Sequence, residues 1–457
     1  MALKWTAKSE GALADSAKDQ SKFSLQRLGQ AVGLSSLVGA AALLSPTAHA
    51  LKTDFGMEYR ATAFAAETDG FDNGTSGYHD NDTGFGHLIR VKGNFLDEET
   101  GISVYTSVEL AGDRWVGDNH GGADHPGFNT GSRGDTVRLD MGYLQIPVGH
   151  TVFRIGRQAT SYNNCFLVCD DRRDRVMMIQ PFSKTLSLVV GYDRRQDNDI
   201  FAHQDNGDQV NAGIIAKVGG WDASLLYVKW LNNYEGTVAT APTPYVLSNV
   251  DLFSGYLSGD LAGLAKATVG FNYFMNGNVE HPVNQDAYFT DQAPSAYLRL
   301  EQSFGLADLG LQYVMTQDGG LVSGGFDTYS SLINNNPDST QSATSMYTMG
   351  GALGQKDFDE NLLIGKATWN LTPKFAITGA VGNLDIDNGT ESDDSMVYDL
   401  QFSYQANKAM RTWVSVGMIE KNKAGVLKGN ALIPDAAGVA FADDDVKAAS
   451  LNVAVNF

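Results

Sequence analysis

The 457-residue chain predicts an all-β fold: a transmembrane, antiparallel, up-and-down β-barrel of about eighteen strands, with sixteen as the alternative. Three observations predict it. First, the chain ends on an amphipathic strand, in which Leu451, Val453, Val455 and Phe457 alternate with Ser450, Asn452, Ala454 and Asn456, the period of a strand with one apolar face. Such a strand needs a neighbour for its free edge, and in lipid only a closed barrel leaves no edge. Second, segments of this kind recur along the chain, joined in turn by a long polar connection and a very short turn, as in barrels that cross an outer membrane. Third, no apolar run beyond residue 50 approaches the roughly 18 residues a membrane helix needs, which excludes a helical membrane protein.

Composition narrows the function classes. The formal charge is −20, so binding nucleic acid through a global basic field is excluded. Most of the acid lies in Asp/Asn/Gly-rich connections, where it solvates long loops; bridging divalent cations to lipopolysaccharide is the sharper alternative. No Pro/Ser-rich linker divides the chain after residue 50, which predicts one unit over 51–457.

At the amino terminus, an apolar core at 31–44 follows Lys18, Lys22 and Arg27 and precedes Pro46 and Ala48-His49-Ala50. This is the pattern of a secretory signal. It predicts a signal peptide over 1–50 with cleavage after Ala50.

Alternating segments follow at 53–67, 85–96, 102–115, 134–147, 152–158, 175–181, 186–193, 209–218, 221–231, 250–260, 264–276, 293–304, 308–316, 361–371, 375–385, 395–406, 411–419 and 448–457. Short turns such as Asp97–Gly101, Gly219-Gly220 and Thr372-Pro373 fall after even-numbered segments. That parity puts short turns in the periplasm and long loops outside, and an even total brings both ends to the periplasm. If the short fifth and sixth segments stay out of the sheet, the count is sixteen.

Each segment also states which face looks inward. In the second, Arg90, Lys92 and Asn94 oppose Ile89, Val91 and Phe95; in the third, Ser103, Tyr105, Ser107 and Glu109 oppose Val104, Val108 and Leu110; in the fourth, Arg138 and Asp140 oppose Val137, Leu139, Met141 and Tyr143. Charges on the lipid face are costly, so the polar faces line a wet interior. Tyr143, Trp221, Trp230, Trp369, Phe375, Tyr404, Trp413 and Phe457, all near segment ends, form a candidate interfacial girdle.

Residues 152–180 are the stretch richest in chemistry. Between the fifth and sixth segments lie Cys165 and Cys169 with Asp170, Asp171, Arg172, Arg173, Asp174 and Arg175. Behind an export signal, the two cysteines are expected to form a local disulfide, with free thiols as the alternative. Cations gather in the first third of the barrel at Arg60, Arg90, Lys92, Arg138, Arg154 and Arg157. Arg172, Arg173 and Arg175 join them from the loop. Glu58, Glu109 and Asp140 lie close by in sequence. A wall of guanidinium groups favours passing carboxylates or phosphates; the competing reading is that these arginines and acids pair across the interior and stiffen it. Tyr105, Tyr162 and Phe166 are candidates for a sugar-binding aromatic track.

The run Gly156-Arg157-Gln158 with Tyr162-Asn163-Asn164 resembles the alginate-export and OprD-like porin families. The terminal Phe457 resembles the signature that the barrel-assembly machinery reads. The porin resemblance implies eighteen strands, a third external loop, here 159–174, folded inward to narrow a water-filled lumen, and passive diffusion of small hydrophilic solutes across the bacterial outer membrane. A channel selective for acidic oligosaccharides or organic acids, and a structural or adhesive barrel with a plugged lumen, are the alternatives. Outer-membrane lipid, lipopolysaccharide and a homotrimer are the expected partners, sixteen strands favouring the trimer. No hydrolase or phosphate-loop motif is present, and no acidic loop has the spacing of a complete calcium site. The reading is therefore a non-enzyme without cofactor or metal.

Overall fold

The computed structural model describes residues 51–68, 81–111, 137–194, 208–231, 246–248, 250–275, 278–280, 292–334, 346–350, 356–422 and 444–457. The signal segment and its cleavage after Ala50 lie outside them, as does the side chain of Arg138.

Twenty strands follow in chain order: β1 (Leu51–Thr68), β2 (Asn81–Asp97), β3 (Ser103–Ala111), β4 (Arg138–Val148), β5 (Thr151–Tyr162), β6 (Val168–Ser183), β7 (Leu186–Arg194), β8 (Asp208–Val218), β9 (Trp221–Trp230), β10 (Val246–Ser248), β11 (Asp251–Leu261), β12 (Ala265–Met275), β13 (Asn278–Glu280), β14 (Gln292–Phe304), β15 (Ala307–Thr316), β16 (Asp359–Asn370), β17 (Phe375–Asp387), β18 (Ser392–Gln405), β19 (Met410–Asn422) and β20 (Asp444–Asn456). Eighteen of them form one antiparallel sheet, while β10 and β13 pair with each other as a short ribbon. Each barrel strand pairs with its sequence neighbours, and β20 pairs back onto β1 from Glu58↔Asn456 to Thr68↔Val446. The Phe457 amide donates to the Met57 carbonyl at 2.9 Å, so the seam runs to the last residue.

All eighteen predicted strands are present. β5 and β6 are longer than their periodicity suggested and pair with β4 and β7, which removes the sixteen-stranded alternative. The predicted loop 159–174 is mostly strand: β5 runs to Tyr162, β6 begins at Val168, and only 163–167 form the turn. The sequence hides this because both faces of the hairpin end carry polar side chains, so no apolar period marks it.

The lipid face is apolar and exposed, with Phe55, Met57, Ile155, Val176, Leu225, Val269, Phe271, Leu311, Leu363, Trp369, Val381, Phe402, Leu451 and Phe457 on it. Three members of the expected girdle turn inward instead. A bulge between Ser107/Val108 and Met141/Leu139 shifts the alternation of β4, and Tyr143 stacks on Tyr105 (5.3 Å between centroids). Trp230 packs against the buried Phe274 at 6.3 Å. Trp413 alternates with the exposed Val414 and Val416 and lies under Arg411 at 4.9 Å.

The apolar core sits inside the barrel. The segment 320–334 contributes Val322, Phe326, Leu332 and Ile333, all buried, against the inward side chains of Val314, Leu362, Ile364, Leu384, Ile386, Val397 and Ile419. Nothing but a segment folded into the lumen can bury both sets.

Candidate functional site

The hairpin β5–β6 leaves the wall near Gly156. That residue has φ +123°, and a Cβ there would come within 2.3 Å of the Gly142 carbonyl oxygen on β4, so only glycine permits this approach. Beyond it the hairpin crosses the interior, as its tip contacts show. Tyr162 Oη lies 2.7 Å from Ser224 Oγ on β9. Asn163 Nδ2 donates to Ser254 Oγ on β11 at 3.0 Å and to the Phe271 carbonyl on β12 at 3.1 Å. Asn164 Nδ2 donates to Tyr297 Oη on β14 at 2.8 Å. Cys165 and Cys169 are bridged, closing the turn around Phe166, which is fully buried. Asn163, Asn164 and Cys165 all have positive φ (56°, 53° and 67°), a turn conformation that costs energy for residues other than glycine and persists where surrounding contacts impose it.

Two flanks of ion pairs pin the crossing. On one side Arg172 Nε donates to Asp140 Oδ1 at 2.7 Å, and Arg90 lies 3.4 Å from both Glu109 and Asp140 and 3.7 Å from Asp170. On the other, Arg175 holds the fully buried Asp193 of β7 at 2.5 Å. Arg173 reaches Asp171 (2.6 Å), Asp193 (3.4 Å) and Gln209 of β8 (2.6 Å). Nearby, Arg60 (2.7 Å) and Lys92 (2.6 Å) share Glu58. Six cations thus meet six carboxylates, and the arrangement is locally neutral. The expected wall of unpaired arginines is instead a paired network, in which each charge taken out of water is met by an opposite one.

The other expected residues fall in three places. Arg157 faces Asp174 at 3.7 Å, on the face that carries Ile155 and Val176, and does not join the inward network. Arg138 is the register partner of Glu109. Arg154 points inward lower down, donating to Gln145 Oε1 at 2.8 Å, with its guanidinium 5.8 Å from the Tyr143 ring centre. Tyr162 and Phe166 anchor the hairpin tip and form no exposed track.

A second inserted segment meets this tip. The Ser323 amide donates to the Phe166 carbonyl at 3.0 Å, Asn272 Nδ2 bridges the Phe166 and Leu321 carbonyls at 3.1 and 2.8 Å, and the Phe166 and Phe326 rings lie 4.9 Å apart. Arg299, itself buried, donates to the Asp327 carbonyl at 2.6 Å, and the Ser331 amide donates to Asp399 at 2.7 Å. Hairpin and segment therefore form one locked unit across the lumen.

No family model matches the chain, and no curated protein matches it. Solved structures do. OccK1 (OpdK) of Pseudomonas aeruginosa aligns with TM-score 0.54 over 88% of this chain and 98% of its own, at 10% identity. A BenF-like porin of Pseudomonas fluorescens aligns with TM-score 0.56 over 89% and 98%, at 11% identity. OccAB1 of Acinetobacter baumannii gives 0.52 over 89% and 97%, at 12% identity. The fold is that of an outer-membrane porin. Its eighteen-stranded porin barrel and its apolar belt place it in a bacterial outer membrane.

Sequence reasoning missed the segment 320–334, Asp193 and Arg411 of this porin barrel. A signal for the first was present: Leu362-Leu363-Ile364 breaks strict alternation, and Leu321, Val322, Phe326, Leu332 and Ile333 give a supposedly aqueous loop too much apolar side chain. Asp193 and Arg411 carried no signal beyond lying on inward positions.

Proposed function

We propose that the protein is a passive channel for small hydrophilic solutes that favours small organic acids, and that it catalyses no reaction. One observation carries the preference. The crossing network is charge-balanced, but Arg154 and Arg411, near the short-turn ends of β5 and β19, have neutral partners. Arg154 is held by Gln145 and Tyr143, and Arg411 by Gln401 (3.4 Å) and Trp413. Among the described residues, no carboxylate lies within ion-pair distance of either. An amide and an aromatic face orient a guanidinium without cancelling its charge. The two arginines therefore leave a positive field in the periplasmic half of the lumen, which lowers the energy of a passing carboxylate. The OpdK structure that includes vanillate, a carboxylate, fits the same preference.

The test is reversal potential in planar bilayers under a salt gradient. Each guanidinium within about 4 Å of a passing anion contributes roughly 1 kcal/mol in water-like surroundings. Arg154→Gln with Arg411→Gln should therefore lower the anion-to-cation permeability ratio by about 5-fold or more. An unchanged ratio would remove these arginines from the filter. A second reading, the plugged structural barrel, is favoured by the lock between the two inserted segments, and a purified, folded protein that conducts no current would establish it.

A further inference from the structure

The short turns at the periplasmic end are not alike. On one sector their tips are charged or polar: Glu98 and Glu99 between β2 and β3, His150 between β4 and β5, Lys184 between β6 and β7, Lys408 between β18 and β19. On the sector from β11 to β17 three successive turns carry leucine instead. Leu264, Leu306 and Leu371 are 73%, 68% and 53% exposed, and Leu261, Phe304 and Trp369 stand exposed beside them. Exposed apolar tips on three neighbouring turns form a contiguous patch, and such patches mark contact with another apolar phase.

The lipid face of the same sector indicates which phase. On β1 the outward residues Phe55, Met57, Tyr59, Ala61, Ala63 and Ala65 run apolar over ten positions. That is about 33 Å of strand, or roughly 25 Å of height at the usual tilt, a full hydrocarbon belt. On β16 the outward apolar run covers only Leu363, Gly365, Ala367 and Trp369 before Asn361, which accepts from Tyr313 Oη at 2.8 Å. On β17 it likewise ends at Asn383 above Val381. Six positions span about 20 Å of strand and roughly 15 Å of height. The belt in this sector is short from above, and the leucine tips continue it below without a polar break.

We propose that the turns joining β11–β12, β14–β15 and β16–β17 are immersed in the acyl chains of the periplasmic leaflet, while the turns of the opposite sector stand in water. The barrel is therefore seated obliquely, with its β11–β17 rim inside the bilayer. Continuity with the lipid belt selects acyl chains over a periplasmic protein as the occupant.

Single cysteines at Leu264→Cys, Leu306→Cys and Leu371→Cys, compared with Glu98→Cys and Lys184→Cys, test this with the native disulfide left intact. Purified protein carrying a nitroxide at each site is placed in phosphatidylethanolamine–phosphatidylglycerol vesicles, and collision with oxygen is measured against collision with a water-soluble nickel chelate. Heat-modifiable gel migration identifies folded barrels, and only those are compared. Oxygen-to-nickel ratios several-fold higher at 264, 306 and 371 than at 98 and 184 are expected. Equal ratios at all five sites overturn the proposal, since pure lipid vesicles offer no protein to cover the patch. High ratios at all five sites overturn the oblique seating.

Discussion

The two sides of the barrel interior are filled by opposite chemistry. Along β1–β8 the crossing hairpin is held by guanidinium–carboxylate pairs around Asp140 and Asp193. Along β14–β20 the segment 320–334 is held by an apolar core of Leu332, Ile333, Leu362 and Leu384. Ion pairs fix direction and register but stabilise little once desolvation is counted, whereas apolar burial stabilises without fixing direction. The hairpin, which must reach a defined point on the far wall, uses the first. The segment, which has only to occupy volume, uses the second.

The largest effect on this contrast should come from replacing residues 320–333 by a short Gly-Ser connection. The eighteen-stranded sheet should stay closed, because none of its ladders uses these residues, and single-channel conductance should rise several-fold. Conductance at the parent level would mean that the segment lies outside the conducting path. Next in size is Asp193→Ala, which strands Arg173 and Arg175 without their shared carboxylate. Breaking a buried pair costs about 3–5 kcal/mol. Urea unfolding from lipid vesicles should show that loss, and anion preference should rise as two cations are unmasked. A cost below about 1 kcal/mol, within the range of an exposed pair, would show that the pairs do not hold the hairpin. The smallest effect is expected from Cys165→Ser with Cys169→Ser. Closing so short a loop stabilises by about 2 kcal/mol in the chain-entropy account, so the barrel should persist while open-channel current noise increases at the tip. Unaltered noise would assign the tip's order to its hydrogen bonds alone.

What the sequence made legible was everything that faces lipid. Hydrocarbon enforces a period of two on Phe55–Ala65, Leu363–Trp369 and Leu451–Phe457, and all eighteen strands could be read from it. The interior enforces no period. Residues 168–174 have polar surroundings on both faces, so β6 looked like a loop there. Tyr143 changed sides because of a bulge that leaves no mark in the pattern. Pairing was equally hidden: Asp193, the partner of Arg173 and Arg175, lies on the next strand in an unremarkable Tyr-Asp-Arg. The arginines at the crossing were recognisable as a group, but their neutrality depends on carboxylates brought in by register.

Gly156 has a mechanical meaning beyond its close approach to β4. From there to Tyr162 the chain extends roughly 20 Å at the usual strand rise, so the hairpin is a lever with this residue at its pivot. A rotation of about 10° at the pivot displaces the tip by roughly 3.5 Å over that length, more than the 2.7 Å separating Tyr162 from Ser224. The missing methyl group at one position on the wall thus sets the aim of contacts on the opposite wall.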